Sequence, residues 1–473
     1  MKKQYINGQW CDAVGGGIWK VQNPATEEFI AEVPYGDDRD CIQAIAAAER
    51  AFDSWKKLTG WERGALLRRV ADLIRSYAET FARETTLECG KPLREAVGEW
   101  QVAADLFEWY GEEAKRAYGR VIPAKRSDRR MQVILEPMGV VGIITAWNFP
   151  AYNPARACAA ALAAGCTVVC KGSEYTPLSS MNLFRALHEA GLPPGVANLV
   201  NGDAARIGAA LLEQDAVRKI SFTGSTRVGK LLMDGASRTV KRLALELGGN
   251  APVLIFDDVD VAAVARTAVS GRFRNAGQVC NIPQRFYVAE NIYEDFLNIT
   301  STHAQQLRVG NGLEEGVAMG PLINRRQQQH VLQLLDLAEQ QGASLLCGGQ
   351  TLEKGFFVTP AVVADRSGAV VFRQQEIFGP VLPVIPFNTL DEALRQANDT
   401  PYGLAAYVWT QNLKRAYVAA EGLRFGMIGV NEWAPHATEA PFGGWKQSGL
   451  GHESGSEGML EYMEKKLITI NLS

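Results

Sequence analysis

The chain has 473 residues, a length that predicts two or three domains. Hydrophobic residues make up 47% and charged residues 21%, which indicates a globular protein and excludes a disordered or fibrous chain. The net charge of -3 gives no basic excess, so the charge does not favour a nucleic acid or a membrane surface as a partner.

Targeting signals and metal-binding patterns are absent from the sequence. The first ten residues lack the apolar run of a secretory signal, and the longest apolar stretches are shorter than a membrane span. None of the eight cysteines forms a CxxC pair, and no Cys/His cluster has the spacing of zinc ligands. We therefore expect free thiols, a cytoplasmic location and no metal site.

The N-terminal part has the pattern of long helices. Residues 40–57 and 62–89 carry apolar side chains at three- and four-residue spacing, which predicts two helices. Residues 119–137 break this pattern with a proline, a charged turn and an alternating run. This stretch is predicted to form a protruding hairpin.

From residue 140 onward, predicted strands alternate with predicted helices. The first such stretch has strands at 140–147, 166–170, 196–200 and 219–222, with helices at 153–165, at 181–190 and after 229. The second has strands at 251–256, 285–290 and 381–387, with helices at 261–273 and 292–307. This alternation predicts an α/β fold of two doubly wound lobes that meet near Gly248 and Gly249. Residues 465–471 are predicted to form a strand that pairs with the hairpin, in the same subunit or in another.

Two polar segments follow predicted strands of the first lobe. Residues 221–229 (SFTGSTRVG) form a turn bounded by glycine, which is either a pyrophosphate site at a helix N-terminus or only a tight turn. Lys171 and Glu174 either grip the hydroxyls of an adenosine ribose or form an exposed ion pair. A carboxylate at a ribose would repel a 2′-phosphate, so Glu174 favours NAD over NADP.

Two further residues are candidates for the chemistry itself. Glu246 lies between leucines and precedes two glycines, so it is either a charge at the end of an element or a buried general base. Cys280 follows a small polar loop and does not lie in an apolar stripe. A thiol on such a loop near a helix N-terminus is predicted to have a lowered pKa and to act as a nucleophile. The five histidines are scattered, and we expect them to be structural.

Seven segments in order resemble the aldehyde dehydrogenase superfamily over essentially the whole chain. They are 147–150 (WNFP), 171–174 (KGSE), 222–229 (FTGSTRVG), 245–250 (LELGGN), 277–280 (GQVC), 376–380 (EIFGP) and 441–444 (PFGG). The resemblance implies a Rossmann-like NAD-binding domain (1–118 and 139–248) and a catalytic domain (249–450). It also implies a small β-hairpin oligomerisation element (119–138 and 451–473) and a homodimer or homotetramer.

The resemblance also implies a role for each matching residue. Cys280 would be the nucleophile and Glu246 the general base, and the Asn148 amide with the backbone N–H of Cys280 would form the oxyanion hole. The residues expected to hold NAD, in preference to NADP, are Thr145, Trp147, Lys171, Ser173, Glu174, Gly224, Ser225, Gly229, Leu247, Glu376 and Phe378. Phe442 would line the substrate tunnel.

The aldehyde itself is less constrained by the sequence. The segments FRNAGQVC, AMGPLI and FGPVLPV are most similar to the branch with succinate-semialdehyde and lactaldehyde dehydrogenases, which implies a small semialdehyde or hydroxyaldehyde such as succinate semialdehyde, lactaldehyde or glycolaldehyde. Arg156 and Arg274 match arginines that bind a substrate carboxylate in that branch; alternatively, they form structural ion pairs. Trp433 and His436 stand where the branch commonly has a serine, which leaves an aromatic or hydroxylated substrate open.

Three alternatives are weighed against this interpretation. Enzymes that pass the acyl group to CoA lack the base glutamate, so Glu246 argues against that chemistry. Retention of Cys280, Glu246 and Asn148 together argues against a non-catalytic relative. A local disulfide switch is not expected, because Ile282 stands where many succinate-semialdehyde enzymes have a second cysteine.

Overall fold

The computed structural model describes residues 2–473, which form fourteen α-helices and twenty β-strands. The helices are α1 Asp38–Trp55, α2 Gly60–Cys89, α3 Leu93–Glu113, α4 Tyr152–Ala164, α5 Pro177–Glu189, α6 Ala204–Glu213, α7 Thr226–Ser237, α8 Val261–Phe273, α9 Tyr293–Gln305, α10 Arg325–Gln340, α11 Val370–Gln374, α12 Leu390–Asn398, α13 Leu413–Gly422 and α14 Gly455–Leu460. The strands are β1 Gln4–Ile6, β2 Gln9–Cys11, β3 Ile18–Gln22, β4 Phe29–Pro34, β5 Arg120–Ile122, β6 Arg129–Pro137, β7 Val140–Ile144, β8 Thr167–Lys171, β9 Ala197–Leu199, β10 Val217–Thr223, β11 Arg242–Glu246, β12 Ala251–Ile255, β13 Pro283–Ala289, β14 Ser344–Cys347, β15 Ala361–Ala364, β16 Val381–Phe387, β17 Ala405–Trp409, β18 Met427–Val430, β19 Gly449–Leu450 and β20 Met463–Asn471.

The first large sheet has eight strands in the order β19-β11-β10-β7-β8-β9-β1-β2. Its five central strands are parallel, whereas β19 at one edge and the β1–β2 pair at the other are antiparallel. The central strands are buried nearly throughout, as expected for a parallel sheet covered by helices on both faces.

The second large sheet has seven strands in the order β14-β15-β16-β13-β12-β17-β18, and all pairs except β14–β15 are parallel. Strand β12 follows β11 of the first sheet after only four residues, among them Gly248 and Gly249. Each sheet is packed in its own hydrophobic clusters, which produces the two lobes predicted from the alternating pattern.

A separate three-stranded antiparallel sheet has the order β20-β6-β5. Strands β5 and β6 form the predicted hairpin, and β20 pairs with β6 over nine residues of the same chain. The pairing predicted for the C-terminal strand is therefore found within one chain. Strands β3 and β4 form a two-stranded sheet of their own.

Local sequence signals explain where the main helices begin and end. Helix α2 begins after Thr59, whose side chain accepts from the N–H of Glu62 while the Glu62 carboxylate accepts from the N–H of Thr59. It ends at Gly90, whose φ of 87° lies in the left-handed region. The predicted bounds agree with the structure to a few residues, except that α7 begins at Thr226, before Gly229.

No helix among residues 2–473 is long and apolar enough to cross a membrane.

Candidate active site

Four neighbouring parallel strands of the first sheet end beside one another. Glu246 is the last residue of β11 and is paired with Thr223, the last residue of β10. Lys171 is the last residue of β8, and Asn148 follows the end of β7. Ligands of open parallel sheets bind outside these carboxyl ends, so the topology alone brings the predicted groups to one crevice.

The loop before Cys280 has an unusual backbone. Asn275, Ala276 and Gly277 have φ angles of 48°, 52° and 75°, three consecutive residues in the left-handed region. A Cβ on Gly277 would lie 2.2 Å from the carbonyl oxygen of Gly379, and one on Gly249 would lie 2.0 Å from that of Cys280. Glycine is therefore required at both positions if the loop is to keep this path.

Cys280 does not stand at a helix N-terminus, so that part of the sequence prediction is wrong. The thiol is followed by the strand β13 and lies beside Glu246. Burial, reinforced by the charge of Glu246, raises the pKa of Cys280 well above its ordinary value. A thiol in these surroundings is not activated by a helix dipole, and it would need a nearby base to take its proton before it could act as a nucleophile.

Two cavities meet at Cys280. One has a volume of about 320 Å³ and the other about 270 Å³. Asn148, Thr223 and Cys280 line both of them. A ligand in each cavity would therefore have its reacting atom next to the same thiol.

The first cavity is mainly apolar and aromatic, with a few charged groups. Phe149, Tyr152 and Phe442 contribute rings, and Arg156 and Arg274 contribute guanidinium groups. The Arg156 guanidinium forms a buried ion pair with Glu453 and lies 4.5 Å from the centre of the Phe442 ring. Its charge is therefore already compensated by the protein.

Arg274 differs from Arg156 in this respect. It has no salt-bridge partner among residues 2–473, and its guanidinium lies 5.7 Å from the centre of the Phe149 ring. Glu95 also lines the cavity, but its carboxylate accepts a hydrogen bond from the backbone N–H of Asn275 at 2.9 Å. Arg274 is thus the cation of this cavity that is available to a ligand.

His436 lines the first cavity, whereas Trp433 does not. The Nδ1 atom of His436 is 3.1 Å from the Asn281 side-chain amide, and burial with nearby Arg274 and Arg156 lowers the pKa of His436 to about 4. The ring is therefore neutral at pH 7. Trp433 packs on an aromatic group of the second lobe instead, 4.6 Å from the ring of Trp409.

The Asn148 side chain is held in a defined orientation. Its amide nitrogen donates to the carbonyl oxygen of Gln278 at 3.1 Å, and its amide oxygen accepts from the Asn153 side chain at 3.4 Å. An amide NH₂ group has two hydrogens, so one remains to serve a ligand beside Cys280. This is the arrangement that the predicted oxyanion donor requires.

Glu246 is a buried carboxylic acid with the properties of a base at neutral pH. Burial raises the pKa of Glu246 to about 7, although the charge of Arg156 opposes this effect. Its Oε1 atom has no hydrogen-bond partner within residues 2–473. A carboxylate with this pKa accepts a proton readily at pH 7, and the free oxygen faces no competing donor.

Besides Cys280, the second cavity is lined by eight of the residues predicted to react or to hold a nicotinamide cofactor. They are Trp147, Asn148, Gly224, Ser225, Glu246, Leu247, Glu376 and Phe378. The backbone N–H of Gly249 donates to Glu376 at 2.9 Å, and a Cβ on Gly248 would lie 2.6 Å from the other carboxylate oxygen. Phe378, which has a φ of 46°, lies edge-on to Trp147 with ring centres 5.4 Å apart. Gly248 and Gly249 leave no room for further side chains beside the fixed carboxylate of Glu376. A cavity of this shape suits a flat ring with an attached ribose.

Five of the predicted cofactor residues do not line this cavity: Thr145, Lys171, Ser173, Glu174 and Gly229. Ser225 is the N-cap of α7, and Gly229 in the first turn is packed against the Leu247 side chain. Lys171, Ser173, Glu174 and Thr145 lie at the ends of β7 and β8. The Thr145 hydroxyl is buried with no partner within residues 2–473, which leaves a polar group free for a ligand.

Several lining residues were not predicted from the sequence, among them three around the second cavity. Thr223 lines both cavities, and Gln327 and His330 of α10 line the second. Thr223 lies inside the segment 221–229, so its position at the strand end was a usable signal. Gln327 and His330 lie in a polar helix without any motif, and nothing in the local pattern marks them.

Comparison with known proteins identifies the family. The aldehyde dehydrogenase family matches residues 10–468, and the chain belongs to this family of oxidoreductases. It is 47% identical to a mitochondrial succinate-semialdehyde dehydrogenase of Oryza sativa subsp. japonica, over 98% of this chain and 88% of the relative. It is 41% identical to a glutarate-semialdehyde dehydrogenase of Pseudomonas putida, over 100% and 98%. Escherichia coli has a 41% identical succinate-semialdehyde dehydrogenase named for NADP(+), over 99% and 97%.

Solved structures have the same fold. A crystal structure of an NADP-dependent enzyme of E. coli has a TM-score of 0.98 at 41% identity, over 100% of this chain and 98% of that chain. Betaine aldehyde dehydrogenase of Staphylococcus aureus, in complex with NAD+, has a TM-score of 0.98 at 35% identity, over 100% and 95%. The predicted family and the predicted α/β fold of two lobes are thus confirmed. The cytoplasmic location stays a prediction.

The prediction that NAD is preferred over NADP is wrong. The E. coli relative and a 44% identical relative of Sinorhizobium fredii are both named for NADP(+). The structure supplies a physical reason: Lys171 Nζ lies 2.7 Å from Glu174 Oε2, and Lys171 is buried. An ion pair of this kind compensates the carboxylate charge, so Glu174 does not have to repel a 2′-phosphate.

Removing the ammonium group of Lys171 should allow the carboxylate of Glu174 to repel the 2′-phosphate of NADP. We expect Lys171→Met to lower kcat/KM for NADP about tenfold more than kcat/KM for NAD, because Glu174 then faces the 2′-phosphate uncompensated. Steady-state kinetics with both cofactors measure the ratio. The double variant Lys171→Met/Glu174→Gln is the control and should remove the bias. An equal fall with both cofactors in Lys171→Met would contradict the explanation.

Proposed function

We propose that this aldehyde dehydrogenase oxidises a short aldehyde with a distal carboxylate, such as succinate semialdehyde, to the corresponding acid. The reaction would pass through a covalent thiohemiacetal and a thioester on Cys280. The observation that carries the proposal is the position of Cys280 and Asn148 in the lining of both cavities. The aldehyde would occupy the first cavity and the cofactor the second.

The groups around Cys280 fit each step of that reaction. Glu246 takes the thiol proton, and the thiolate forms a bond to the aldehyde carbon. The carbonyl oxygen becomes an oxyanion, which the free hydrogen of the Asn148 amide and the Cys280 backbone N–H stabilise by about 3–4 kcal/mol per donor. The bound nicotinamide cofactor supplies the acceptor for the hydride that leaves this carbon.

The thioester must then be hydrolysed. Glu246 first releases the thiol proton to solvent through the second cavity, which it lines. With an unpaired oxygen and a pKa of about 7, its carboxylate can then take a proton from an attacking water at neutral pH. The thiolate of Cys280 leaves as the acid forms. The same residue thus serves before and after hydride transfer, which explains why it lies beside the thiol.

Arg274 is the group that would select a distal carboxylate. It lines the aldehyde cavity without a salt-bridge partner among residues 2–473, whereas Arg156 is paired with Glu453. The neutral His436, whose Nδ1 is engaged by Asn281, lies in the same wall. Relatives named for succinate and glutarate semialdehyde agree with an anionic substrate.

Substitution of Arg274 tests this substrate class. We expect Arg274→Gln to raise KM for succinate semialdehyde about 10- to 100-fold, because a charge-assisted hydrogen bond contributes about 1.5–3 kcal/mol. KM for butanal, which has the same chain length without the carboxylate, should change less than about threefold. An equal rise in KM for both aldehydes in Arg274→Gln would contradict the proposal. A wild-type enzyme that prefers benzaldehyde to succinate semialdehyde would contradict it as well.

The predicted domain division and assembly remain part of this proposal. Residues 119–138 and 451–473 contain the three strands of the separate sheet, in which the side chains of Val121, Leu467 and Ile470 are exposed. Exposed apolar side chains on a sheet with an open edge favour association between subunits. We propose that this sheet joins subunits into a dimer or tetramer.

A further inference from the structure

A buried ion pair lies at the wall of the aldehyde cavity, which Glu99 lines and Lys91 does not. Lys91 follows α2 and Glu99 lies on α3, and their side chains are 0% and 1% exposed. Lys91 Nζ is 2.5 Å from Glu99 Oε2. Burying two charges costs more solvation than the pair usually regains, so stability alone does not account for it.

The pair holds both ends of the segment that carries Asn148. Lys91 Nζ donates to the backbone carbonyl oxygen of Asn148 at 2.7 Å. Glu99 Oε1 accepts from the backbone N–H groups of Ala151 and Tyr152 at 2.7 and 3.0 Å. Helix α4 has no side-chain cap within its own segment, so Glu99 supplies the acceptor for its first turn.

The same cation also contacts the residue between these two ends. Lys91 Nζ lies 4.0 Å from the centre of the Phe149 ring, and Phe149 lines the aldehyde cavity. The Asn148 carbonyl oxygen receives a second hydrogen bond, from the Asn275 side chain at 3.0 Å. Asn275 belongs to the loop before Cys280, so one carbonyl oxygen joins the ion pair to the nucleophile loop.

We infer that Lys91 and Glu99 are positioning residues that set the Asn148 amide relative to Cys280. Lys91 acts through the Asn148 carbonyl oxygen, and Glu99 acts through the backbone N–H groups of Ala151 and Tyr152. A displacement of about 1 Å at an oxyanion donor is enough to lower a rate about 100-fold. The inference rests on the proposed role of Asn148, and its test includes a variant that examines that role separately.

The test is a double-variant cycle with Lys91→Met and Asn148→Ala. We expect Lys91→Met to lower the pre-steady-state rate of reduced-cofactor formation about 10- to 100-fold, with the dissociation constant of the cofactor unchanged. In the Asn148→Ala background the same substitution should change that rate less than about threefold. Lys115→Met is the matched control, because it removes an ion pair with Glu112 and a cation–π contact with Trp61 away from the site.

Equal losses in both backgrounds would overturn the inference, because Lys91 would then act on the fold and not through Asn148. An Asn148→Ala variant with wild-type rate would refute the oxyanion role itself, and the inference with it. If Lys91→Met does not fold, the apolar double variant Lys91→Met/Glu99→Leu leaves no unpaired buried charge. Its acylation at the wild-type rate would likewise overturn the inference.

Discussion

Cys280→Ala is expected to abolish aldehyde oxidation, with kcat reduced about 10⁴-fold or more. The methyl group of alanine cannot form the bond to the aldehyde carbon, and no other cysteine lines either cavity among residues 2–473. Reduction of the cofactor followed by its absorbance measures the loss. Binding of the cofactor should be retained, since the second cavity keeps the rest of its lining.

The matched control for this substitution is Cys11→Ala. Cys11 is another partly buried free thiol, but it lies on the edge strand β2 and lines neither cavity. We expect its kcat to be that of the wild type. Mass spectrometry of the enzyme mixed with aldehyde and cofactor should detect an acyl adduct in the control and none in Cys280→Ala. Turnover like that of the wild type in Cys280→Ala would refute the covalent mechanism.

Glu246→Gln is expected to slow hydrolysis of the thioester about 10²- to 10⁴-fold. Glutamine keeps the size of the side chain but cannot accept the proton from water. The measurement is made at a pH high enough for Cys280 to lose its proton to solvent without the help of Glu246. Under that condition, a burst of one reduced cofactor per active site should precede a slow steady state. Glu88→Gln is the control, because Glu88 is also fully buried with a pKa raised by burial to about 8 but lines neither cavity.

The pH profile of the wild type follows from the same residue. The base form of Glu246 increases as the pH rises through its pKa of about 7. When hydrolysis limits turnover, kcat should therefore fall about tenfold for each unit below pH 7 and reach a plateau above it. A kcat that is constant between pH 5.5 and 8.5 would show that Glu246 is not the base of the limiting step.

The alternation of apolar strands and helices was enough to predict the two lobes, because buried parallel strands have a strong and local signature. The motifs singled out Cys280, Glu246 and Asn148, and these residues line the same cavity because the ends of parallel strands meet at one edge of a sheet. Their catalytic roles stay predictions. The sequence could not reveal that Arg156 is neutralised by Glu453, which lies 297 positions further along the chain. Contacts between residues so far apart in the sequence depend on tertiary packing, which a local sequence pattern does not reveal.

Electrostatics was the least predictable part of the site. Glu174 was expected to exclude a 2′-phosphate, yet Lys171 compensates its charge three residues away. The thiol of Cys280 was expected to have a lowered pKa, and burial beside Glu246 raises it instead. In both cases the charge of the side chain is set by its surroundings, which the local sequence does not show.

The position of Cys280 in the lining of both cavities has a consequence for the order in which ligands bind and leave. The two cavities share only Asn148, Thr223 and Cys280 in their linings, so under the proposed function the aldehyde and the dinucleotide would occupy separate chambers. A carboxylic acid can therefore depart while the dinucleotide is still in place, and a non-reactive acid should compete with the aldehyde but not with the dinucleotide. The two ligands would thus meet only at the wall that both cavities share, which contains the thiol of Cys280.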